Sequence, residues 1–302
     1  MANPPQDHLK YLQPEVISKL SNLNLVARLV VEGFITGLHR SPYHGFSVEF
    51  AEHRQYMPGD DIRHVDWKVY AKTDRYYVKE FEEETNLKAY ILLDTSASMG
   101  YASHGITKLR YATYLAAALS YLMLKQRDAV GLAIFDQELR SYLPPRSVNT
   151  YLSVLLQELH NARSRNKTNA TKTFHQLAEQ IKRRGLIIIL SDLLDDPAQV
   201  ISGLKHFRHK KHEIIVFHIL DPAERYFHFK DDAIFQDMES GEKLSTQPWH
   251  IRGEYRRLVS EFIESYKTQC RENRIDYVLM DTSESFDAAL LQYLIKRKRI
   301  GG

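Results

Sequence analysis

The residues best suited to chemistry in this sequence are oxygen donors. Asp94-Thr95-Ser96-Ala97-Ser98 directly follows the apolar run Ala89–Leu93, and Ser191-Asp192 directly follows a second apolar run, Leu186–Leu190. A Thr-rich loop, Lys167-Thr168-Asn169-Ala170-Thr171, lies just before a helical pattern. In an open α/β sheet the binding crevice lies outside the carboxyl ends of the strands, and the three features read as belonging there. Asp-x-Ser-x-Ser in such a loop aims one carboxylate and two hydroxyls at a single point. Hard oxygen donors of this kind suit Mg²⁺, which takes octahedral geometry and keeps several waters. Asp192 adds a second carboxylate, largely through water, and a Thr hydroxyl adds a further ligand. One position then stays open for an acidic group from a partner. A simpler reading makes Ser and Thr helix caps and Asp94 a strand end. The companion Asp192, 98 residues further on, favours the metal site.

These groups need a framework, and the chain supplies a regular alternation from residue 88 onward. Strands are predicted at Ala89–Leu93, Ala129–Phe135, Leu186–Leu190, Ile214–Leu220 and Asp276–Met280, with Leu139–Leu143 pairing as a hairpin across Asp136-Gln137-Glu138. Helices are predicted at Lys108–Lys125, Val148–His160, Phe174–Arg184 (closed by Gly185), Ala198–His209, Tyr255–Arg271 and Phe286–Lys296. Strands alternating with helices imply a parallel sheet covered on both faces. Residues 224–250 break the rhythm, and their Glu239-Ser240-Gly241-Glu242 turn predicts an inserted hairpin. Residues 14–32 show helical spacing with Gly33 as the stop, and 43–86 read as short β-like runs and turns around Pro58-Gly59.

Composition narrows the function classes. The 302 residues hold 41 Lys plus Arg against 38 Asp plus Glu, a net charge of +3, too balanced for a dedicated nucleic-acid surface. A single cysteine, Cys270, excludes a disulfide framework or a Cys-rich zinc module. The polar N-terminus lacks the pattern of a secretory signal, and no run reaches the ~18 apolar residues of a membrane span. The expected location is cytoplasmic.

Here the residues resemble a family. Asp94-Thr-Ser-Ala-Ser98, the Thr loop and Asp192 are similar to the metal-ion-dependent adhesion site of von Willebrand factor type A domains. The stretch Arg54-Gln-Tyr-Met-Pro-Gly-Asp-Asp-Ile-Arg63, Val65-Asp-Trp67, Thr73 and Val78-Lys-Glu-Phe-Glu-Glu83 resembles the family called domain of unknown function 58. The resemblance continues through Ser191–Asp195, Asp221-Pro222, the Glu239–Glu242 hairpin and Asp276–Thr282, covering about residues 45–290. It implies a von Willebrand A-like (Rossmann-like) doubly wound α/β sheet over 87–302, preceded by an N-terminal helical segment (1–42) and a small β-rich segment (43–86) packed on the core. It also implies Mg²⁺, or Mn²⁺, held by Asp94, Ser96, Ser98, Thr168 and Asp192. Thr168 is favoured over Thr171 because Asn169 behind it is a good N-cap, although Lys167 stands where the family has Gly. The expected function is capture of a partner carboxylate rather than catalysis. The partner implied by the resemblance is a MoxR-type AAA+ ATPase. A metal-dependent hydrolase using the same cluster, or a structural module with a vestigial site, are the rival readings.

Other motifs weigh less. Gly100-Tyr-Ala-Ser-His-Gly105-Ile106-Thr107 is nearly a phosphate loop, but Ile106 replaces the required Lys and Lys108 comes two residues late. His206, His209 and His212 sit among cations and read as a basic helix end. Lys296-Arg-Lys-Arg299 reads as a solvated tail. Arg54, Asp60, Asp61, Arg63 and Asp66 read as a charge network docking the N-terminal segment, with contact to a partner as the alternative.

Overall fold

In a computed structural model, which describes residues 14–17, 20, 22–39, 53–56, 65, 67–79, 87–165, 170–229, 233–236, 238 and 241–301, the predicted apolar runs are the centre of a six-stranded sheet. Its strands are β3 (Lys88–Asp94), β4 (Ala129–Phe135), β5 (Leu139–Arg146), β6 (Leu186–Ser191), β7 (Glu213–Leu220) and β10 (Asp276–Asp281). They lie in the order β10-β7-β6-β3-β4-β5. All neighbours are parallel except β4 and β5. Counted within the sheet alone, this is the doubly wound order 3-2-1-4-5-6, whose direction of winding reverses between β3 and β6. The expected von Willebrand A-like α/β architecture is therefore the one observed.

Alternation along the strands builds two cores. Ala89, Ile91 and Leu93 of β3 join one apolar cluster, and Tyr90 and Leu92 join the other. The first cluster includes α2 (Leu23–His39), α4 (Lys108–Lys125), α5 (Tyr151–Asn161) and α10 (Asp287–Gly301). The second includes α6 (Ala170–Gln180), α7 (Pro197–His209) and α9 (Pro248–Glu272). Burial on both faces explains why β3, β6 and β7 read as continuous apolar runs rather than alternating ones. At the β5 edge, Pro144 and Pro145 sit at a bulge opposite Gly131, where an added Cβ would lie 2.8 Å from the Leu143 carbonyl oxygen. A bulge on an edge strand tolerates proline because no ladder N–H is required there.

Several local expectations change. The N-terminal helical pattern is two helices, α1 (Pro14–Ile17) and α2, and Gly33 lies inside α2 instead of stopping it. Val26, Ala27, Val30, Val31 and Phe34 of α2 are buried in the first core, and that burial outweighs the ~1 kcal/mol a helical glycine costs. Gly185 does not close α6, which ends at Gln180; it allows close approach to β3, since an added Cβ would sit 2.3 Å from the Lys88 carbonyl oxygen. The helix predicted from Val148 starts at Tyr151, because Val148 accepts the Tyr151 N–H in a turn. Among the described residues of 43–86, β1 (His53–Gln55) and β2 (Tyr77–Lys79) form an antiparallel pair around a helix, α3 (Trp67–Thr73). Tyr70 of α3 stacks on Tyr76 with ring centroids 4.5 Å apart, and residues 57–64 and Asp66, which carry most of the expected charge network, lie outside the described residues.

The basic run near the C-terminus is not a solvated tail. Lys296 is 7% exposed and pairs with Glu213 at 2.7 Å and Asp276 at 2.9 Å, while Arg297 pairs with Asp128 at 2.7 Å. His206 and Lys210 both meet Glu179 at 2.9 Å, so α6 supplies a carboxylate at the end of α7. The inserted hairpin is present as β8 (Ala233–Gln236) and β9 (Lys243–Thr246), following a short helix, α8 (Pro222–Tyr226). Among the described residues, no helix is long and apolar enough to cross a membrane.

Candidate functional site

Asp94 ends β3 and Asp192 follows β6, so the two carboxylates flank the point where the sheet reverses its winding. Both side chains are fully buried. The chain leaves β3 through a loop tied down by Thr95, whose N–H and hydroxyl both donate to the Phe135 carbonyl at 2.7 and 2.9 Å. A single 3-10 turn, Ala97–Gly100, follows. Gly100 lets this turn pack closely on a neighbouring loop, since a Cβ there would lie 2.7 Å from the Ser164 hydroxyl, which would have to rotate away.

Asp94 accepts hydrogen bonds from the Ser96 N–H at 2.9 Å and from the Ser191 hydroxyl at 2.6 Å. Ser191 thus belongs to the site, orienting the carboxylate. The Ser96 and Ser98 hydroxyls lie 3.1 Å apart. Burial, followed by the repulsion of Asp192, pushes the Asp94 carboxyl up to about 7, despite its hydrogen bonds to Ser191 and Ser96. Two carboxylates forced together out of water require a counter-charge.

Part of that charge comes from a residue not anticipated from sequence. Lys108, the first residue of α4, is fully buried and donates to Asp192 Oδ2 at 2.7 Å and to Glu224 Oε1 at 2.5 Å. Burial alone would lower its pKa, but Asp192 and Glu224 together outweigh burial and keep it protonated. Glu224 is placed by a capping box. Asp221 accepts the Ala223 N–H at 2.8 Å, and Glu224 Oε2 accepts the Asp221 N–H at 3.0 Å. Asp221 also accepts the Ser103 N–H at 2.8 Å, anchoring the loop that follows the Ser residues. Two sequence signals pointed here. A lysine in a helix's first turn opposes the helix dipole and needs acids nearby, and Asp221-Pro-Ala-Glu224 has the capping-box spacing.

Charge in the cluster does not balance. With Asp94, Asp192 and Glu224 ionised and Lys108 protonated, the four groups sum to −2. Among the described residues, no ammonium or guanidinium pairs with Asp94. The buried imidazole of His218, whose neighbours include Asp192, is pushed down to about 4 by burial and stays neutral. Adjacent oxygens of an octahedron around Mg²⁺ are about 3.0 Å apart for bonds of about 2.1 Å, which the Ser96–Ser98 hydroxyl spacing fits. The Thr171 and Thr173 hydroxyls, in the first turn of α6, are buried without a hydrogen-bond partner. Asp94, Ser96, Ser98 and Asp192 are thus brought together, and Thr168 lies outside the described residues. The donor set fits a hard divalent cation. The exception is Asp192, whose Oδ2 already carries Lys108 and whose Oδ1 accepts the Leu194 N–H at 3.3 Å. Lys108 is equally unavailable to a phosphate.

An uncharacterised protein of Mycobacterium tuberculosis is 24% identical over 291 residues, covering 95% of this chain and 91% of its own. Among solved structures, BatB of Bacteroides thetaiotaomicron aligns over 70% of this chain and 99% of its own, at 18% identity and a TM-score of 0.49. The manganese-loaded TRAP protein of Plasmodium vivax aligns over 70% of this chain and 74% of its own, at 16% identity and a TM-score of 0.36. The family model for protein of unknown function DUF58 matches residues 52–263, well over half of the sequence, and the chain belongs to that family.

Proposed function

We propose that this chain is a divalent-cation-dependent protein-binding module that captures a carboxylate from a partner. The supporting observation is the pair of buried carboxylates, Asp94 and Asp192, beside two hydroxyls at octahedral-edge spacing, with the Lys108 ammonium bonded to Asp192 and Asp94 bonded to Ser96 and Ser191. Asp94, Ser96 and Ser98 would hold the ion, Mg²⁺ or Mn²⁺, with Thr168 completing the set and Asp192 reaching it through water. When bound, the ion supplies an electrophilic position that an Asp or Glu oxygen can fill. Ser191 holds the Asp94 carboxylate in orientation, and Lys108 fixes Asp192. The partner we favour is a MoxR-type AAA+ ATPase, with this protein as adaptor or co-chaperone. A hydrolytic reading needs a general base facing the site. His218 does not serve, being buried with its Nδ1 bonded to the Tyr277 hydroxyl at 2.6 Å.

The test is thermal melting of the full chain with millimolar Mg²⁺ or chelator, alongside Asp94→Ala and Ser98→Ala, followed by capture of a purified MoxR-type ATPase under both conditions. A ligand that binds only the native state raises Tm. Mg²⁺ should raise the wild-type Tm, leave Asp94→Ala unmoved and support capture that chelator abolishes. Identical wild-type melts with Mg²⁺ and with chelator would overturn the proposal.

A further inference from the structure

Beside the carboxylate cluster lies a cavity of about 410 Å³ that shares Ser98 and Glu224 with it. Its remaining walls are mostly apolar, and many of them come from the stretch that interrupts the α/β rhythm. Leu194 stands two residues after Asp192, Phe227 follows α8, and Phe235 and Met238 belong to the inserted hairpin. Phe227 stacks on Phe235 with ring centroids 5.3 Å apart and meets Tyr255 of α9 at 4.3 Å. Phe227 holds a left-handed backbone, φ 52°, which a bulky residue adopts only when its surroundings enforce it. Met238 approaches the other side of the site loop, since a Cβ on Gly100 would lie 3.5 Å from its methyl group. Leu194 and Met238 are exposed at the rim.

A pocket of this size, apolar with a few polar groups at one end, is typical of a specific ligand site. Its one carboxylate, Glu224, is already paired with Lys108, so the pocket offers no free charge of its own. Its occupant is therefore an apolar group, and its continuity with Ser98 sets where that group must be attached. We infer that the partner segment is recognised at two points: an Asp or Glu carboxylate at the cation, and a large apolar side chain, aromatic or branched, next to it in sequence and seated in the Phe227–Phe235–Tyr255 pocket. This inference rests on the carboxylate-capture reading above and names the partner chemistry.

The experiment uses the full chain and fluorescein-labelled hexapeptides with Glu-Phe (in either order), Glu-Ala, Gln-Phe or Gln-Ala at the centre, by anisotropy in Mg²⁺ and in chelator. Burial of a phenylalanine side chain should make Glu-Phe bind at least about tenfold tighter than Glu-Ala in Mg²⁺. Met238→Gln, at an exposed position, should remove that advantage while leaving Mg²⁺ binding itself unchanged. Equal affinity for Glu-Phe and Glu-Ala, with both better than their Gln counterparts, overturns the second point and leaves carboxylate capture standing. Equal affinity for Glu-Phe and Gln-Phe overturns carboxylate capture, and two-point recognition with it. Failure of every peptide to bind a chain that does bind Mg²⁺ overturns the inference. So does metal-dependent self-association lost in Met238→Gln, which would make a second copy the occupant.

Discussion

Replacing Lys108 with Met tests the charge ledger of the cluster most directly. Methionine keeps nearly the same length and apolar volume, so packing is conserved and the ammonium alone is lost. That ammonium bonds Asp192, which is fully buried, and Glu224, whose side chain is 20% exposed. Removing one partner of a buried pair costs about 3–5 kcal/mol, because the remaining charge is left uncompensated. The sum over Asp94, Asp192 and Glu224 becomes −3, which sharpens the demand for a divalent ion. Urea unfolding at pH 8 in chelator should show a loss of about 3–5 kcal/mol for Lys108→Met. Mg²⁺ at about 100 times its Kd contributes about 2.7 kcal/mol, so it should recover much of the loss and stabilise the variant more than it stabilises wild type. The double variant Lys108→Met/Asp192→Asn should be closer to wild type in chelator than Lys108→Met, as expected for coupled neighbours. A loss under about 1 kcal/mol, or an identical Mg²⁺ increment in both proteins, would refute the reasoning.

Three further outcomes follow from particular contacts. Between about pH 4, where an unfolded Asp titrates, and about pH 7 the native chain retains a proton at Asp94 that the unfolded chain has released, so in chelator this carboxyl lowers stability as pH rises. Asp94→Asn should therefore gain on wild type between pH 5 and 8 in urea unfolding, with the opposite pH trend from His218 present in both; a constant difference would count against it. A fragment spanning 87–302 removes α2 and uncovers Val26, Val30, Val31 and Phe34, each worth about 1.5–3 kcal/mol of burial. It should aggregate or lose cooperative unfolding by calorimetry, whereas wild-type stability would show that α2 is dispensable. Asp128→Ala removes the carboxylate that the Tyr293 hydroxyl and the Arg297 guanidinium share at 2.9 and 2.7 Å, and should cost about 1.5–3 kcal/mol in urea; a change under about 0.5 kcal/mol, the scatter of neutral surface substitutions, would mean those bonds carry nothing.

The central strands were legible because burial on both faces leaves an unbroken apolar run, as in Ile187–Leu190. The loops after β3 and β6 were legible because hydroxyls and carboxylates stand out directly after such runs. What stayed hidden was pairing at long range. Lys108 meets Asp192 across 84 positions, and Arg297 meets Asp128 across 169. A charge run carries no mark of the partner that the fold will bring to it, so Lys296 and Arg297 read as solvent-facing. Gly33 misled for a related reason: helix propensity is local, and the burial of Phe34 that overrides it is not. The aromatic pocket was unreadable because Phe227, Phe235 and Tyr255 meet only after the inserted hairpin folds back.

The bulged edge strand β5 gives the sheet a direction of growth. Pro144 and Pro145 carry no amide N–H, and the bulge at which they sit interrupts regular pairing along this edge. Both features work against a further strand adding there in register. On the opposite side, β10 pairs with β7 alone among the described strands. Any strand contributed by another polypeptide would therefore enter along Asp276–Asp281. That position is three strand spacings, roughly 14 Å, from β3. The fold thus separates two modes of contact. A peptide backbone would add at one margin of the sheet, whereas a captured side chain would meet the loops at the carboxyl ends of β3 and β6.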